Sequence, residues 1–481
     1  LHNDGVLPLS KNLKKIAVVG PNANNAALLN GNYGGTPTAE HTFTLLQGIQ
    51  SAVPGTEVFY AQGCTLTEGY DTISYLKDFN EGKGIYVEFY NNNELEGEPA
   101  ATGYYNSALN FSTFGAWGFA EGVSTDKISV RATGKFTAPF TGEMKYAISS
   151  DNGYVLKING KVHEEAQGGA RRGFGRRGSV EYKSFNIVKG ETYDIEIVYK
   201  RGTGNFAMLS AEICERRLIS FDQLAADVAD ADAIIVIGGI SAQMEGEGGD
   251  KADIELPEVQ QRLIRAMHET GKPVIVVNCS GSAMAFGSVK GCYNALLQAW
   301  YPGQAGGQAV AEVLFGDYNP SGRLPVTFYK NVNQLPDFED YNMTGRTYRY
   351  FKGEPLFPFG HGLSYTTFAY GDIQAPTSAK VGETFQVTIS ITNKGAIDGD
   401  EIVQLYLKKQ GDEDGPIKAL RAYQRVHIPA GQTVQVSLEL TPKQMEWWDN
   451  ETNTMRNQAG KFDVMIGGNS VDLKSQTIEI Q

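Results

Sequence analysis

Three carboxylates and three glycines lie within eight residues of this chain, in Met244-Glu-Gly-Glu-Gly-Gly-Asp-Lys251. The segment follows an apolar run over residues 233–240, which predicts a strand buried in a parallel sheet. Loops at the carboxyl ends of such strands are where open α/β sheets bind ligands. Glycine lets the backbone approach a bound group, and a carboxylate can donate or accept a proton. The spacing indicates either an acid/base loop or a solvated acidic loop that caps the next helix, and it does not decide between them.

Length and composition exclude several classes of function. A chain of 481 residues is too long for one hydrophobic core and predicts roughly three domains. Its net charge of −13 argues against a nucleic-acid partner, because phosphate binding needs a basic surface. No apolar run is long enough to cross a membrane as a helix. The cysteines show neither a disulfide framework nor metal-ligand spacing, and no cofactor loop is visible, so we expect no cofactor and no required metal.

The elements that position the acidic loop belong to an interrupted domain. Alternating strands and helices over residues 1–75 and 214–369 predict one α/β domain built around a doubly wound sheet. Residues 76–213 contain short alternating runs and the hairpin signal Asn159-Gly160, which indicate an all-β domain. Residues 370–481 alternate at period two between turns, as in a β-sandwich. The predicted fold is therefore multidomain: an α/β sandwich interrupted by an all-β domain and followed by a β-sandwich.

Long motifs in the second α/β segment carry a resemblance. They are Gln298-Ala-Trp-Tyr-Pro-Gly-Gln-Ala-Gly-Gly307, Val313-Leu-Phe-Gly-Asp-Tyr-Asn-Pro-Ser-Gly-Arg-Leu-Pro-Val-Thr-Phe328, Gly345-Arg-Thr-Tyr-Arg-Tyr-Phe351 and Pro355-Leu-Phe-Pro-Phe-Gly-His-Gly-Leu-Ser-Tyr365. Together they closely resemble glycoside hydrolase family 3, the β-glucosidases and β-xylosidases. The last domain resembles the fibronectin type III-like module of that family. Residues 76–213 resemble the protective-antigen-type β-domain of some members, with Ser150-Asp-Asn-Gly153 in place of Ser-Asp-Asp-Gly.

This resemblance implies a catalytic residue. Family members hydrolyse glycosides with retention, using an aspartate nucleophile on a barrel and a glutamate acid/base from the second domain, about 5 Å apart. The acid/base commonly lies in a Glu-Gly-x-Asp-Arg pattern, which Glu247-Gly-Gly-Asp250-Lys251 matches with lysine in place of arginine. The resemblance thus implies Glu247 as the general acid/base. Glu245 is the alternate, because the loop is shorter than in many relatives and its register is ambiguous.

Further residues are candidates for substrate binding. Asp250 and Lys251 can reach a sugar hydroxyl, and the alternative is an ion-paired or capping role before the next helix. Arg171, in a basic loop of the inserted domain, is a third candidate, with a solvated hairpin tip as its alternative. The tyrosine-rich segment 347–351 either lines the sugar site or packs a strand against a neighbouring domain. Trp447-Trp448-Asp449 is typical of core packing and a turn, with a carbohydrate-stacking platform as the alternative.

A nucleophile is missing from these residues. The family's Ser-Asp-Trp-type segment and barrel do not occur, and the chain opens at Leu1 on a segment that looks like the one following the barrel. We expect the acid/base-bearing C-terminal part of an exo-acting retaining β-glycosidase that releases terminal β-linked glucose or xylose from oligosaccharides. Its partner is a barrel domain or barrel chain, and alone it lacks the nucleophile. The alternative is a non-catalytic carbohydrate-binding or scaffold protein without a barrel.

The setting of the protein follows only from the resemblance. A polysaccharide-degrading hydrolase of this family implies a periplasmic or extracellular location, without membrane insertion. The choice among glucosides, xylosides and arabinosides is left open, as is a homodimer, because the pocket that would distinguish these sugars is built mostly by the barrel.

Overall fold

The computed structural model describes residues 1–32, 42–113, 119–167, 181–202, 207–247 and 250–481. They form two compact units, Leu1–Gly69 with Ser220–Gln481, and Tyr70–Ile219. The second unit therefore begins before residue 76 and ends after residue 213, the predicted limits of the all-β domain. Within the described ranges, no helix has the length and apolar character needed to cross a bilayer.

A six-stranded sheet organises the first part of the first unit. In sheet order its strands are His2–Asn3, Ala295–Gln298, Val274–Cys279, Ala233–Gly239, Lys15–Val19 and Glu57–Ala61. All neighbours are parallel except the first pair. The five parallel strands stand in the order 2-1-3-4-5 along the chain, so the order reverses between Lys15–Val19 and Ala233–Gly239. Doubly wound sheets bind ligands beyond the carboxyl ends of their strands at such a reversal.

Helices cover both faces of this sheet, and every residue of Ala233–Gly239 is buried. Helices Leu45–Ala52 and Gly306–Leu314 pack on the face that carries Ile235 and Ile237. A Cβ at Gly48 would lie 2.0 Å from the carbonyl oxygen of Gly307, so these helices approach this closely only because both residues lack side chains. The other helices among the described residues of this unit are Asp222–Asp227, Glu258–Glu269, Thr347–Tyr350 and Pro442–Met445, with short 3₁₀ turns at Ala26–Leu29, Gly287–Val289 and Val332–Gln334.

The second unit is built from two antiparallel sheets. The strands of one are, in order, Lys161–Gln167, Gly153–Ile158, Thr192–Lys200, Ser129–Thr137, Ile85–Tyr90 and Ala101–Tyr105. Those of the other are Lys183–Ile187, Gly142–Ser150, Met208–Leu218 and Tyr70–Ser74, with Leu109–Ser112 also paired to Met208–Leu218, and the 3₁₀ turn Leu76–Asp78 precedes Ile85. Asn159 and Gly160 form a hairpin turn with φ of 51° and 74°, as their sequence predicts.

The C-terminal part of the first unit is a β-sandwich. One sheet contains Phe368–Tyr370, Phe385–Asn393 and Thr433–Leu440. The other contains Ser378–Ala379, Leu473–Ile480, Gly460–Gly467, Gly399–Lys409 and Ala419–Ile428, and a separate hairpin pairs Trp447–Asp449 with Thr454–Arg456. Alternating inward residues of the two sheets, including Val387, Leu405 and Val464, form its core.

A buried ion pair joins this sandwich to the α/β part. Arg323 Nη2 lies 2.8 Å from Glu401 Oε2, and the two side chains are 9% and 5% exposed. The hydroxyl of Tyr370 donates to the other oxygen of Glu401 at 3.0 Å. Gln404 donates to the carbonyl of Gly360, where a Cβ would lie 2.0 Å from the side-chain oxygen of Gln404. We call these contacts of Arg323, Glu401, Tyr370, Gln404 and Gly360 the seam.

The tyrosine-rich segment lies beside the seam. It forms the helical turn Thr347–Tyr350 and not a strand. The ring of Tyr348 stacks on Phe359 with centroids 4.3 Å apart and meets Tyr406 of the sandwich edge-on. Its hydroxyl accepts a hydrogen bond from the Leu420 amide at 3.0 Å. Tyr348 therefore packs the α/β part against the sandwich.

Candidate active site

The strand that precedes the acidic loop is held firmly at its end. Gly239 has a φ of 119°, and a Cβ there would lie 2.0 Å from the carbonyl oxygen of Cys279. The side chain of Gln260 is 1% exposed and binds both backbone groups of Gly239, accepting from the amide at 2.8 Å and donating to the carbonyl at 2.7 Å. Asn22, from the loop after Lys15–Val19, donates to the carbonyl of Gly238 at 3.0 Å. The loop thus starts from a fixed point at the strand-order reversal.

The carboxylate of Glu245 is held by several hydrogen-bond donors. It is 8% exposed, and its oxygens accept hydrogen bonds from the hydroxyls of Ser282 and Tyr301 and from the Gly281 amide at 2.5 Å. Lys251 Nζ lies 3.5 Å from Oε2 and also donates to the Ser282 hydroxyl at 2.5 Å. Residues from loops after three neighbouring strands therefore converge on one carboxylate.

This environment fixes the protonation states. Burial alone would raise the pKa of Glu245, but the hydrogen bonds and the charge of Lys251 outweigh it and the pKa is lowered. Burial lowers the pKa of Lys251, against the opposing effect of Glu245. Burial and the neighbouring carboxylate raise the pKa of the Tyr301 hydroxyl. Near neutral pH, Glu245 is an ionised acceptor without a proton to donate.

A polar cavity of about 400 Å³ opens at this network, and its walls include Asn32, Glu245, Asp250, Lys251, Ser282 and Tyr301. Three of the sequence-predicted site residues, Glu245, Asp250 and Lys251, are therefore brought together. Glu247 is exposed, two residues after Glu245 on the same loop. Arg171 lies outside the residues that the structure describes. In the part of the chain that is described, no three His, Cys, Asp or Glu side chains are grouped closely enough to hold a metal ion.

Sequence reasoning did not single out Asn32, Ser282 and Tyr301 as site residues. Ser282 follows the strand Val274–Cys279, and Tyr301 follows the strand Ala295–Gln298. Ligands bind beyond the carboxyl ends of parallel strands, so the argument that indicated the acidic loop would also have indicated both residues. Their loops are held by buried amides. Asn278 donates to the Ser280 hydroxyl at 2.9 Å and to Gln298 at 2.7 Å.

Comparison with known proteins identifies the family. The model of the glycosyl hydrolase family 3 C-terminal domain matches residues 1–365. The chain belongs to glycosyl hydrolase family 3. A fibronectin type III-like domain matches residues 401–470, within the β-sandwich. The multidomain architecture and the family resemblance expected from the sequence are confirmed by these two matches.

Curated relatives are glycoside hydrolases. A xylan 1,4-β-xylosidase of Xylanibacter ruminicola is 40% identical over 495 residues, which cover all of this chain and 56% of that protein. A β-glucosidase of Rhizobium radiobacter is 29% identical over 99% of this chain and 60% of its own length. The chain thus spans less than two thirds of these relatives.

Solved structures share the fold. A β-glucosidase from Kluyveromyces marxianus, determined in complex with glucose, superposes with a TM-score of 0.64 at 24% identity. The match covers all of this chain and 60% of that one. A β-glucosidase from Streptomyces venezuelae, in complex with D-glucose, gives the same TM-score and covers 58% of that chain.

Proposed function

We propose that this chain supplies Glu247 as the general acid/base of an exo-acting retaining β-glycosidase, whose aspartate nucleophile lies on a barrel outside these 481 residues. The observation that carries the proposal is the contrast between the two glutamates of one loop. Donors from two neighbouring loops and Lys251 of the same loop surround the carboxylate of Glu245, whereas Glu247 is exposed on the loop that borders the polar cavity.

The chemistry requires this division of roles. A general acid must hold a proton at the working pH, which for a glutamate means a raised pKa. The surroundings of Glu245 lower its pKa instead. We therefore propose that Glu245 holds the loop in place and does not donate the proton. Enclosure of Glu247 by a barrel and a bound sugar would remove it from water and raise its pKa, with the nucleophile about 5 Å away.

The substrates are β-linked glucosides or xylosides. The relatives bear the names β-xylosidase and β-glucosidase, and the xylosidase is the more similar of the two described above. A hydroxymethyl group distinguishes glucose from xylose, and discrimination of a group of this size in a pocket is worth about 1–3 kcal/mol. We therefore propose activity on xylosides with residual activity on glucosides. Asp250 and Lys251 are placed to contact substrate hydroxyls or to hold the loop.

We also propose the type of the inserted unit and the location of the protein. The unit Tyr70–Ile219 is an insertion of the protective-antigen type within the family domain, supported by its two antiparallel sheets. The protein acts in the periplasm or outside the cell. This is supported by a relative named periplasmic β-glucosidase from Salmonella typhimurium, 33% identical over 54% of this chain.

The test uses Glu247→Ala in the enzyme that contains both this chain and its barrel. Turnover of unactivated oligosaccharides should fall by about 10²–10⁴-fold, because the leaving oxygen departs without a proton. Nitrophenyl glycosides should lose less in the glycosylation step, and external azide should partly restore deglycosylation.

The matched variant is Glu245→Ala, on the same loop. It should lower activity on all these substrates alike, without azide rescue. Equal loss by Glu247→Ala on every substrate, without rescue, would contradict the assignment of Glu247. Full activity of both variants would show that neither glutamate is the acid/base and would favour a non-catalytic, carbohydrate-binding role for this chain.

A further inference from the structure

Two adjacent tryptophans of the β-sandwich lie in opposite environments. Trp447 is 1% exposed, and its indole N–H donates to Asp412. Trp448 is 49% exposed on the opposite side of the same strand. The half-exposed indole of Trp448 therefore presents an aromatic surface to a ligand.

The hairpin that carries Trp448 is rigidly held. Asp449 accepts a hydrogen bond from the Glu451 amide at 2.8 Å and is ion-paired with Arg456. The side chain of Gln458 donates to the carbonyls of Trp447 and Trp448, both at 3.1 Å. The position of Trp448 is therefore set before any ligand arrives, which reduces the entropy lost on binding.

Trp448 borders a groove that has polar and apolar walls. A cavity of about 140 Å³ is lined by Trp448 and Met455 together with Arg349, Asp412 and Asp414. A larger cavity of about 990 Å³ shares Asp412 and Asp414 with it, so the two cavities are neighbours. We call this pair of cavities the sandwich groove. It combines one exposed indole with carboxylates and a guanidinium within one concave surface.

We propose that the sandwich groove binds a β-linked oligosaccharide, at a site separate from the acidic loop. A pyranose ring presents an apolar C–H face that stacks on an indole and a rim of hydroxyls that both donate and accept. The carboxylate of Asp414 accepts from such hydroxyls, and the guanidinium of Arg349 donates to them. Charged groups of both signs beside the exposed indole of Trp448 therefore supply both donors and acceptors for the hydroxyls of such a ligand. Binding in the sandwich groove does not require any particular role of Glu247.

The test is direct titration of the 481-residue chain with xylohexaose and with cellohexaose, followed by calorimetry. Trp448→Ala should weaken binding about tenfold, which corresponds to about 1.4 kcal/mol. Asp414→Asn, a substitution of an exposed side chain, should weaken it by a smaller factor and should leave the fold intact. If Trp448→Ala fails to fold, the affinity of Asp414→Asn tests the proposal in its place.

One control separates this site from other effects. Tyr423→Ala removes a 70% exposed aromatic side chain from the strand Ala419–Ile428 of the same sandwich, outside both cavities. It should bind the probes like the unmodified chain. The proposal is overturned if neither probe binds, if Trp448→Ala and Asp414→Asn bind normally, or if Tyr423→Ala loses affinity equally.

Discussion

The seam and the acidic loop both gather polar side chains, but they use them differently. At the seam, Arg323 and Glu401 are almost completely buried and neutralise each other between two domains. At the loop, Glu245 is buried against donors from neighbouring strands, and Glu247, two residues later, is exposed. The seam pairs its charges within the protein, whereas the loop combines one buried and one exposed carboxylate.

Two of the four motifs that carry the family resemblance supply residues of the seam. Arg323 lies in the motif 313–328 and Gly360 in the motif 355–365, and both contact the β-sandwich. The difference teaches that family motifs serve both places, because the motif 298–307 supplies Tyr301, which donates to Glu245 at the acidic loop. Buried ion pairs and glycine contacts restrict their residue types tightly, and the acidic loop is short and allows two registers.

The largest stability effect is expected at the seam. Arg323→Met would leave the Glu401 charge buried without its partner, which should lower the free energy of unfolding by about 3–5 kcal/mol. Urea denaturation measures this. The double variant Arg323→Met with Glu401→Gln should recover much of the loss, because the uncompensated charge is removed.

An exposed ion pair provides the comparison for this variant. Lys11 and Asp317 are 2.6 Å apart, but their side chains are 45% and 43% exposed. Lys11→Met should change the free energy of unfolding by no more than about 1 kcal/mol. If Lys11→Met and Arg323→Met lower the free energy of unfolding equally, burial is not the reason that the ion pair of the seam stabilises the protein.

The next effect concerns the anchor of the loop. Glu245→Gln replaces an acceptor-only group and should lower the free energy of unfolding by about 1.5–3 kcal/mol near neutral pH, the range for hydrogen bonds to a charged group. The pKa of Glu245 is lowered in the folded state. Its contribution to stability is therefore present above the ordinary carboxyl pKa and is lost as the pH falls through the lowered value. Thermal unfolding of the two proteins should converge in acid. A difference that persists unchanged at low pH would contradict an ionised Glu245.

A smaller effect is expected for Lys251→Met. Glu245 keeps its three other donors, so we expect a loss of about 1 kcal/mol. Because Lys251 helps to lower the pKa of Glu245, its removal should shift the acid-side loss of stability to higher pH. The pH dependence of the melting temperature measures this shift. Lys352→Met, a substitution of another lysine of the same unit, should leave unchanged the pH at which the melting temperature falls in acid.

Much of the scaffold could be predicted from the sequence. The apolar run at 233–240 became the strand Ala233–Gly239, and Asn159-Gly160 became a hairpin turn, because both patterns are local in the sequence. The state of Glu245 could not be predicted. It depends on Ser282 and Tyr301, which are distant in the sequence and which the strand order brings to Glu245. The helical conformation of Thr347–Tyr350 was also missed, since packing against Tyr406 overrides the preference of tyrosine for strands.

Gln260 has a consequence for the evolution of this domain. One primary amide serves the N–H and the carbonyl of Gly239, and its NH₂ also reaches the carbonyl of Leu66 at 2.7 Å. Glutamate lacks the donor, asparagine is one carbon too short and leucine offers neither function. Gln260 has no part in the chemistry, but we expect it to vary as little among homologues as the proton donor. An alignment that ranks positions by conservation would therefore mistake this buried structural residue for a catalytic one.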